Sequence, residues 1–315
     1  MKKVKGLCLV ILAAIVAMTM FACESNTGKQ VVNDVTDIQT VTYGAYAQTV
    51  VTDQTVIDQL AVAQWEGNRT YLGETVYEKV TAAPYREGAC FADGTEIEAG
   101  KEYYFAVMPI EWYVLSKSGS SFLMAKNILD VSEFSTNTET DNEGNYPNNW
   151  EYSTLRNYMN ATFANTAFGA MEFAAISTTK VVSKYPQSFY QAHATAINDT
   201  NDKVFALSYA EVVNTDNGFT ANGDDYDCLR MAKVTDYAKA KGAWFYIANA
   251  TEGNADYERD MTWNGNGDYW LRTVGWEICN AGIVRYTGSV GAEYKYVNIT
   301  EVGVRPAITL GYEVA

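Results

Sequence analysis

The sequence of 315 residues predicts an α+β fold built on a mostly antiparallel sheet. Three observations carry that expectation. Helical spacing is confined to a few stretches, most of them between Trp150 and Gly242. The tail from Tyr269 onward is a series of short strand-like runs linked by glycine-containing turns. Apolar residues make up 48% of the chain, enough to fill a core, and no charge block or Pro/Gly/Ser-rich linker interrupts the interior.

The elements follow in order. Val41–Tyr46 reads as a first strand with a turn at Gly44. Val56, Ile57, Leu60 and Ala61 recur at helical spacing within Thr55–Ala63. Lys101–Val107 and Ile110–Leu115 read as two strands broken at Pro109, and Ser121–Ala125 returns after the turn Lys117-Ser118-Gly119-Ser120. Leu155, Tyr158, Met159, Thr162 and Phe163 form the clearest apolar stripe, with Ser153 placed to cap the helix. A second helix is expected over 166–176, carrying Phe168, Met171, Ala175 and Ile176. Val204–Leu207 reads as a strand, and Ser208 with Glu211 has the spacing of a capping box. Thr235–Lys241 is helical and stops at Gly242. The tail strands are Tyr269–Arg272, Gly282–Tyr286, Tyr294–Ile299 and Val304–Leu310, the last with Pro306 marking an edge or a bulge.

The N-terminus reads as an address. Lys2, Lys3 and Lys5 precede an apolar run from Leu7 to Met20, then Met20-Phe21-Ala22-Cys23 and a polar stretch. Such a run spans roughly 21 Å as a helix, short of the ~30 Å hydrocarbon core, so a cleaved signal is preferred to a permanent span. Met20-Phe21-Ala22-Cys23 resembles the bacterial lipobox, which makes Cys23 the expected lipid attachment site. Two acyl chains would hold the protein stably on a bilayer. The expected organisation is a signal peptide over 1–22, a lipidated Cys23 with a polar tether over 23–40, and one α+β domain over 41–315. The expected location is the cell envelope, anchored by lipid and facing the exterior.

Composition narrows the chemistry. Asp and Glu number 38 against 23 Lys and Arg, a formal charge of −15. Loss of the three N-terminal lysines leaves the remainder more acidic still. Without a basic block, such a chain is not expected to bind nucleic acid. His193 is the sole histidine and lacks a recognisable partner, which excludes most His-based metal sites and leaves one base for any Ser-His or Cys-His arrangement. Beyond the signal lie Cys90, Cys228 and Cys279, an odd count without a CxxC pair. Cys228 and Cys279 could form a disulfide, but buried thiols are the preferred reading.

Several motifs resemble a bacterial family of secreted and lipoprotein domains of unknown function. They are Tyr43-Gly44-Ala45-Tyr46-Ala47-Gln48-Thr49, Pro109-Ile110-Glu111-Trp112-Tyr113-Val114-Leu115, and Trp150-Glu151-Tyr152-Ser153-Thr154-Leu155-Arg156 with Asn160. Asp202-Lys203-Val204-Phe205-Ala206-Leu207-Ser208, Tyr269-Trp270-Leu271-Arg272 and Gly303-Val304-Arg305-Pro306-Ala307-Ile308-Thr309-Leu310 continue in order. The family is similar in turn to the C-type-lectin-like fold shared with formylglycine-generating enzymes, whose closing Gly-Phe-Arg resembles Gly303-Val304-Arg305. That resemblance implies architecture and habitat, not a reaction. The copper chemistry of those enzymes needs two nearby cysteines, and only Cys279 lies in the corresponding stretch.

Three sets of residues are candidates for a site. Trp150, Arg156, Trp270, Arg272 and Arg305 stand in the motifs, and a structural role is preferred: a buried Arg can satisfy several carbonyls and a Trp fills a core. Two acidic loops could hold calcium: Asn137–Asn149, and Asn214–Asp227 with Asp216, Asp224, Asp225 and Asp227. Neither has EF-hand spacing, and solvated loops are the preferred reading. The third set is Tyr257, Trp263, Asn264, Asn266, Asp268 and Trp276, aromatic faces beside amides and a carboxylate, which suits a sugar. The alternative there is a loop whose aromatics pin it to the core. The leading functional expectation is a non-catalytic module that binds an extracellular glycan or protein. A glycan-acting hydrolase with an Asp/Glu pair and a structural envelope protein are the alternatives, so enzymatic activity is left open and disfavoured.

Overall fold

The computed structural model describes residues 31–32, 38–83, 87–183, 198–249, 251–254 and 256–315. Cys23, the signal segment and His193 lie outside these. The strands are β1 (Val31–Val32), β2 (Thr40–Val50), β3 (Arg69–Leu72), β4 (Thr75–Thr81), β5 (Glu102–Lys117), β6 (Ser121–Ala125), β7 (Asp130–Val131), β8 (Thr179–Val181), β9 (Thr200–Asp202), β10 (Val204–Phe205), β11 (Tyr226–Asp227), β12 (Tyr269–Val274), β13 (Asn280–Val284), β14 (Val290–Tyr296), β15 (Gly303–Val304) and β16 (Ala307–Leu310). The helices are α1 (Gln54–Ala61), α2 (Thr154–Tyr158), α3 (Ala164–Ala167), α4 (Ala170–Ala175), α5 (Tyr209–Val212), α6 (Asp236–Ala240) and α7 (Tyr257–Trp263). The class is α+β, with mostly antiparallel sheets and few helices.

A seven-stranded sheet runs β10-β16-β6-β5-β4-β3, with β2 on the far edge of β5. The sequence suggests two strands around Pro109, yet β5 is continuous from Glu102 to Lys117. The reason is local. Phe105 and Ala106 pair with both β2 and β4, while Trp112 and Tyr113 pair with both β2 and β6. β4 and β6 therefore share one edge of β5 and leave a gap between them. Lys126 N donates to Glu111 O, and Val114 N donates to Gln39 O, so odd-numbered backbone groups face that gapped edge. Pro109 points into the gap, where its missing N–H forfeits no ladder bond. Opposite it, β2 bulges between Thr42 and Ala45. Gly44 sits in the bulge with φ +66°, and a Cβ there would lie 2.6 Å from the Phe168 ring. Only glycine fits both demands.

The second sheet runs β14-β13-β12-β15-β7. The chain passes directly from one sheet to the other twice, from β6 to β7 and from β15 to β16. The two passages lie side by side, because β15 pairs with β7 and β16 with β6. The expected strand Val304–Leu310 is thus two short strands in different sheets. Arg305 and Pro306 make the corner between them, and Pro306 O accepts from Ala125 N at 2.8 Å.

Helix ends follow their capping residues. Ser153 Oγ accepts from Arg156 N at 3.0 Å and starts α2. A π-helical turn over Met159–Phe163 carries it into α3, which stops at Ala167. The helix expected over 166–176 is broken at Phe168 and Gly169. It restarts as α4, where the Glu172 carboxylate accepts from Gly169 N at 2.8 Å. Ser208 and Glu211 cap α5 reciprocally, at 3.2 and 2.7 Å. Thr235 Oγ1 caps α6, and Gly242 ends it with φ +100°.

One apolar cluster runs from Tyr46 to Leu310 and includes Trp112, Trp150 and Trp270. Each indole nitrogen has an acceptor: Tyr43 O at 2.8 Å, Asp202 Oδ2 at 2.9 Å and Ser132 O at 2.7 Å, respectively. Among the described residues no helix is long and apolar enough to cross a membrane.

Candidate functional site

Five half-buried aromatic rings meet where β12 begins and β13 ends: Tyr226, Trp244, Tyr246, Trp263 and Tyr286. Trp244 and Tyr246 lie two apart on an extended segment and so share a face, while Phe245 between them is buried. That segment is held by Trp244 N donating to Glu301 O and Tyr246 N donating to Asn266 O. Trp263 ends α7. Tyr246 and Tyr286 stack at 4.6 Å with 4° between planes. Trp263 stands edge-on to Tyr246 at 6.1 Å, to Tyr286 at 5.8 Å and to Tyr226 at 5.5 Å. Trp244 leans on Tyr286 at 5.4 Å. Edge-to-face pairs of this kind contribute about 0.5–1.5 kcal/mol each beyond burial.

The polar groups of the patch fall into two kinds. Some are saturated by the protein. Asp260 accepts from Tyr246 Oη on one oxygen and from Asn249 N at 2.7 Å on the other. That bond, and then burial, push the Tyr246 phenol up to about 12. Asp268 accepts from Tyr286 N at 3.0 Å and lies 3.4 Å from Lys295 Nζ. Burial raises the Asp268 carboxyl above the ordinary range, and Lys295 acts against that rise. Trp263 Nε1 is of the other kind: it is buried and has no hydrogen-bond partner. An unsatisfied buried donor costs about 1–3 kcal/mol. Charge flanks the indole. The Arg259 guanidinium lies 5.5 Å over its ring, and Lys233 Nζ donates to Thr262 O and Asn264 O at 3.2 and 2.6 Å on either side of it.

The sequence placed six residues here, and the structure gathers them only in part. Trp263 is central. Asn264 Oδ1 accepts from Ala248 N at 3.0 Å, and Asn266 Nδ2 donates to Tyr286 O at 3.0 Å, so both amides brace the loops under the rings. Asp268 does the same for Tyr286. Tyr257 sits at the other end of α7, roughly 9 Å along the axis from Trp263. Trp276 is 45% exposed but follows β12, whose length puts roughly 20 Å between it and the patch. Tyr226, Trp244, Tyr246 and Tyr286 were not anticipated. The signal available for two of them was the period-two pair Trp244 and Tyr246 flanking an inward Phe245.

The loop Asn214–Asp227 is organised around a cation of the chain itself. Arg230 is fully buried, and its guanidinium donates to Gly288 O, Val212 O, Thr220 O, Thr220 Oγ1, Asn222 O and Asp225 O, at 2.6 to 3.2 Å. Asp227, also fully buried, accepts from Thr220 N and Leu229 N and lies 3.8 Å from Arg230. Asp225 accepts from Asn222 Nδ2 at 2.9 Å, and Asp216 and Asp224 sit in turns closed by Asn214 and Asn222. In the other acidic loop Asp141 accepts from Glu143 N, Asn145 N and Asn145 Nδ2. Among the described residues no three His, Cys, Asp or Glu side chains converge as metal ligands.

The motif residues are braces. Trp150 Nε1 and Arg156 Nε both donate to Asp202, at 2.9 and 2.7 Å. Arg272 forks onto Glu211 at 2.6 and 2.7 Å and donates to Ala206 O and Val182 O. Arg305, at the corner between sheets, donates to Ala125 O, Lys126 O, Leu229 O, Arg230 O and Tyr269 Oη. Cys90, Cys228 and Cys279 are thiols, each only partly buried rather than fully so.

An α+β domain whose second sheet ends in an aromatic surface defines the class of protein. The chain belongs to the family described as Domain of unknown function (DUF6273), whose model matches residues 118–312, more than half of its length. The motifs at Tyr43–Thr49 and Pro109–Leu115 lie ahead of the matched range. Neither a curated protein nor a solved structure matches the chain.

Proposed function

We propose that this protein is a non-catalytic module that binds an extracellular glycan through the patch around Trp263. The observation that carries the proposal is the buried, unpartnered Trp263 Nε1 within a contiguous group of half-exposed rings. Sugars present C–H faces to aromatic rings, and this patch sets several such rings side by side around one unspent donor. The two carboxylates in the patch, Asp260 and Asp268, are engaged by the protein on both oxygens. They hold Tyr246 and Tyr286 in place, whereas a hydrolase pair must reach a scissile bond and a water. This favours binding over turnover.

The wider setting is part of the same proposal. The N-terminal lysines, the apolar run and Cys23 support a bacterial lipoprotein held on the outer face of a membrane by acyl chains. Gly303-Val304-Arg305 supports descent from a lectin-like fold. A glycan array probed with the full chain in detergent, with and without calcium, tests the function. Binding to at least one glycan, lost in Trp263→Ala while that variant keeps a cooperative unfolding transition at a lowered melting temperature, is expected. Undiminished binding by that variant would remove the patch from the function, and turnover of a bound glycan would replace the reading with a hydrolase.

A further inference from the structure

Resting on the glycan reading above, we infer that the patch selects an anionic glycan bearing carboxylate groups, with Arg259 as its specificity-determining residue. The chain as a whole is acidic, with a formal charge of −15. The indole at the centre of the patch nevertheless has a cation over its ring and another beside its backbone. Arg259 lies 5.5 Å above Trp263, and exposed Lys233 holds the two carbonyls that flank it in sequence, Thr262 O and Asn264 O. The nearest buried acids do not oppose this charge toward solvent. Asp260 is consumed by Tyr246 and Asn249 N, and Asp268 by Tyr286 N and Lys295.

Of the other acids on α7, Asp256 at its N-cap and Glu258 in its first turn are exposed, at the end away from Trp263. Asp256 is the present partner of Arg259, at 2.7 Å, and the two side chains are 58% and 44% exposed. An ion pair this open is worth little, so a ligand carboxylate can take the place of Asp256 at small cost. A guanidinium matches a carboxylate with two parallel N–H donors. A neutral sugar offers the guanidinium no such exchange.

The test compares an oligogalacturonate with its methyl ester by titration calorimetry on the full chain in detergent. The acid is expected to bind roughly ten- to a hundredfold more tightly than the ester, the range of one charge-assisted contact. Arg259→Gln should erase most of that difference while leaving the ester's affinity in place, and raising salt should weaken only the acid. Equal affinity for acid and ester would overturn the anionic selection and leave the glycan site standing. A sulfated oligosaccharide bound in preference to the uronate would overturn the carboxylate assignment. Binding of neither, together with an empty array, would overturn both proposals.

Discussion

Arg305 Nη1 donates to the backbone carbonyl of Arg230 at 2.9 Å, so two buried guanidiniums are linked through a single peptide. The phenol of Tyr269 donates to the same carbonyl at 2.9 Å. Arg230 gathers the loops over the second sheet, and Arg305 gathers the two passages between sheets. The joint between them is rigid because every polar atom in it is matched. Replacing either cation leaves carbonyls without donors in a place water does not reach.

Arg305→Lys should therefore destabilise the protein. A lysine has three donors on one nitrogen and cannot span Ala125 O, Lys126 O, Leu229 O and Arg230 O. A loss of about 2–4 kcal/mol in urea unfolding is expected, from one or two stranded carbonyls. Full stability with abolished glycan binding would instead assign Arg305 to the ligand.

Arg230 makes a prediction about calcium. Since its guanidinium already holds the carbonyls of Thr220, Asn222 and Asp225, millimolar calcium should leave the melting temperature of the wild type unchanged. Arg230→Met should lose about 3–5 kcal/mol by leaving Asp227 charged and buried without its cation. A calcium-dependent rise in the wild-type melting temperature would show that the loop has a second cation position.

Asp130 is a further node. It is fully buried and accepts from Tyr46 Oη, Tyr158 Oη, Val131 N and, at 2.6 Å, Lys241 Nζ. Asp130→Ala should cost about 3–5 kcal/mol, because it leaves several donors unpaired at once. In the Asp130→Ala background, Lys241→Met should cost less than it does alone. The shortfall in a double-mutant cycle measures the pair, and strict additivity would mean that Lys241 and Asp130 do not interact in solution.

Asp268 gives a pH dependence of definite sign. Burial raises its carboxyl above the unfolded value, so the folded state binds the proton more tightly. Its contribution to stability is present in full below the unfolded value of about 3.9 and is lost as pH rises through the higher folded value. Asp268→Asn keeps an acceptor for Tyr286 N and removes the titration. The stability of the variant relative to wild type should then increase as pH rises above about 4. A flat difference would show that Lys295 already cancels the effect of burial.

Elements governed by local chemistry were legible in the sequence. Ser153, the Ser208 and Glu211 pair, and Gly242 fixed helix ends from a few residues each. The two prolines misled because their effect depends on what lies across the sheet. Pro109 sits in a gap between β4 and β6 that sequence does not reveal, and Pro306 turns a corner between sheets, where an edge or a bulge was expected. The patch was legible only through Trp263. Its other rings come from residues 226, 244, 246 and 286, brought together by strand pairing over distances that no local pattern encodes. Arg230 was missed for a related reason: a lone arginine after an acidic loop does not announce that the carbonyls of that loop turn inward.

β16 holds a consequence for how the chain reaches this state. It is formed by Ala307–Leu310, near the end of the chain, yet it lies between β10 and β6 in the interior of the seven-stranded sheet. The sheet stays open at that position until Ala307–Leu310 have arrived, and the closing contacts join segments nearly two hundred residues apart. A domain with such distant partners folds slowly, because the entropy of closing the loop is lost before the pairing returns it. During synthesis, β6 and β10 wait with exposed edges. Removing the final nine residues would leave the domain permanently in that half-closed, aggregation-prone state.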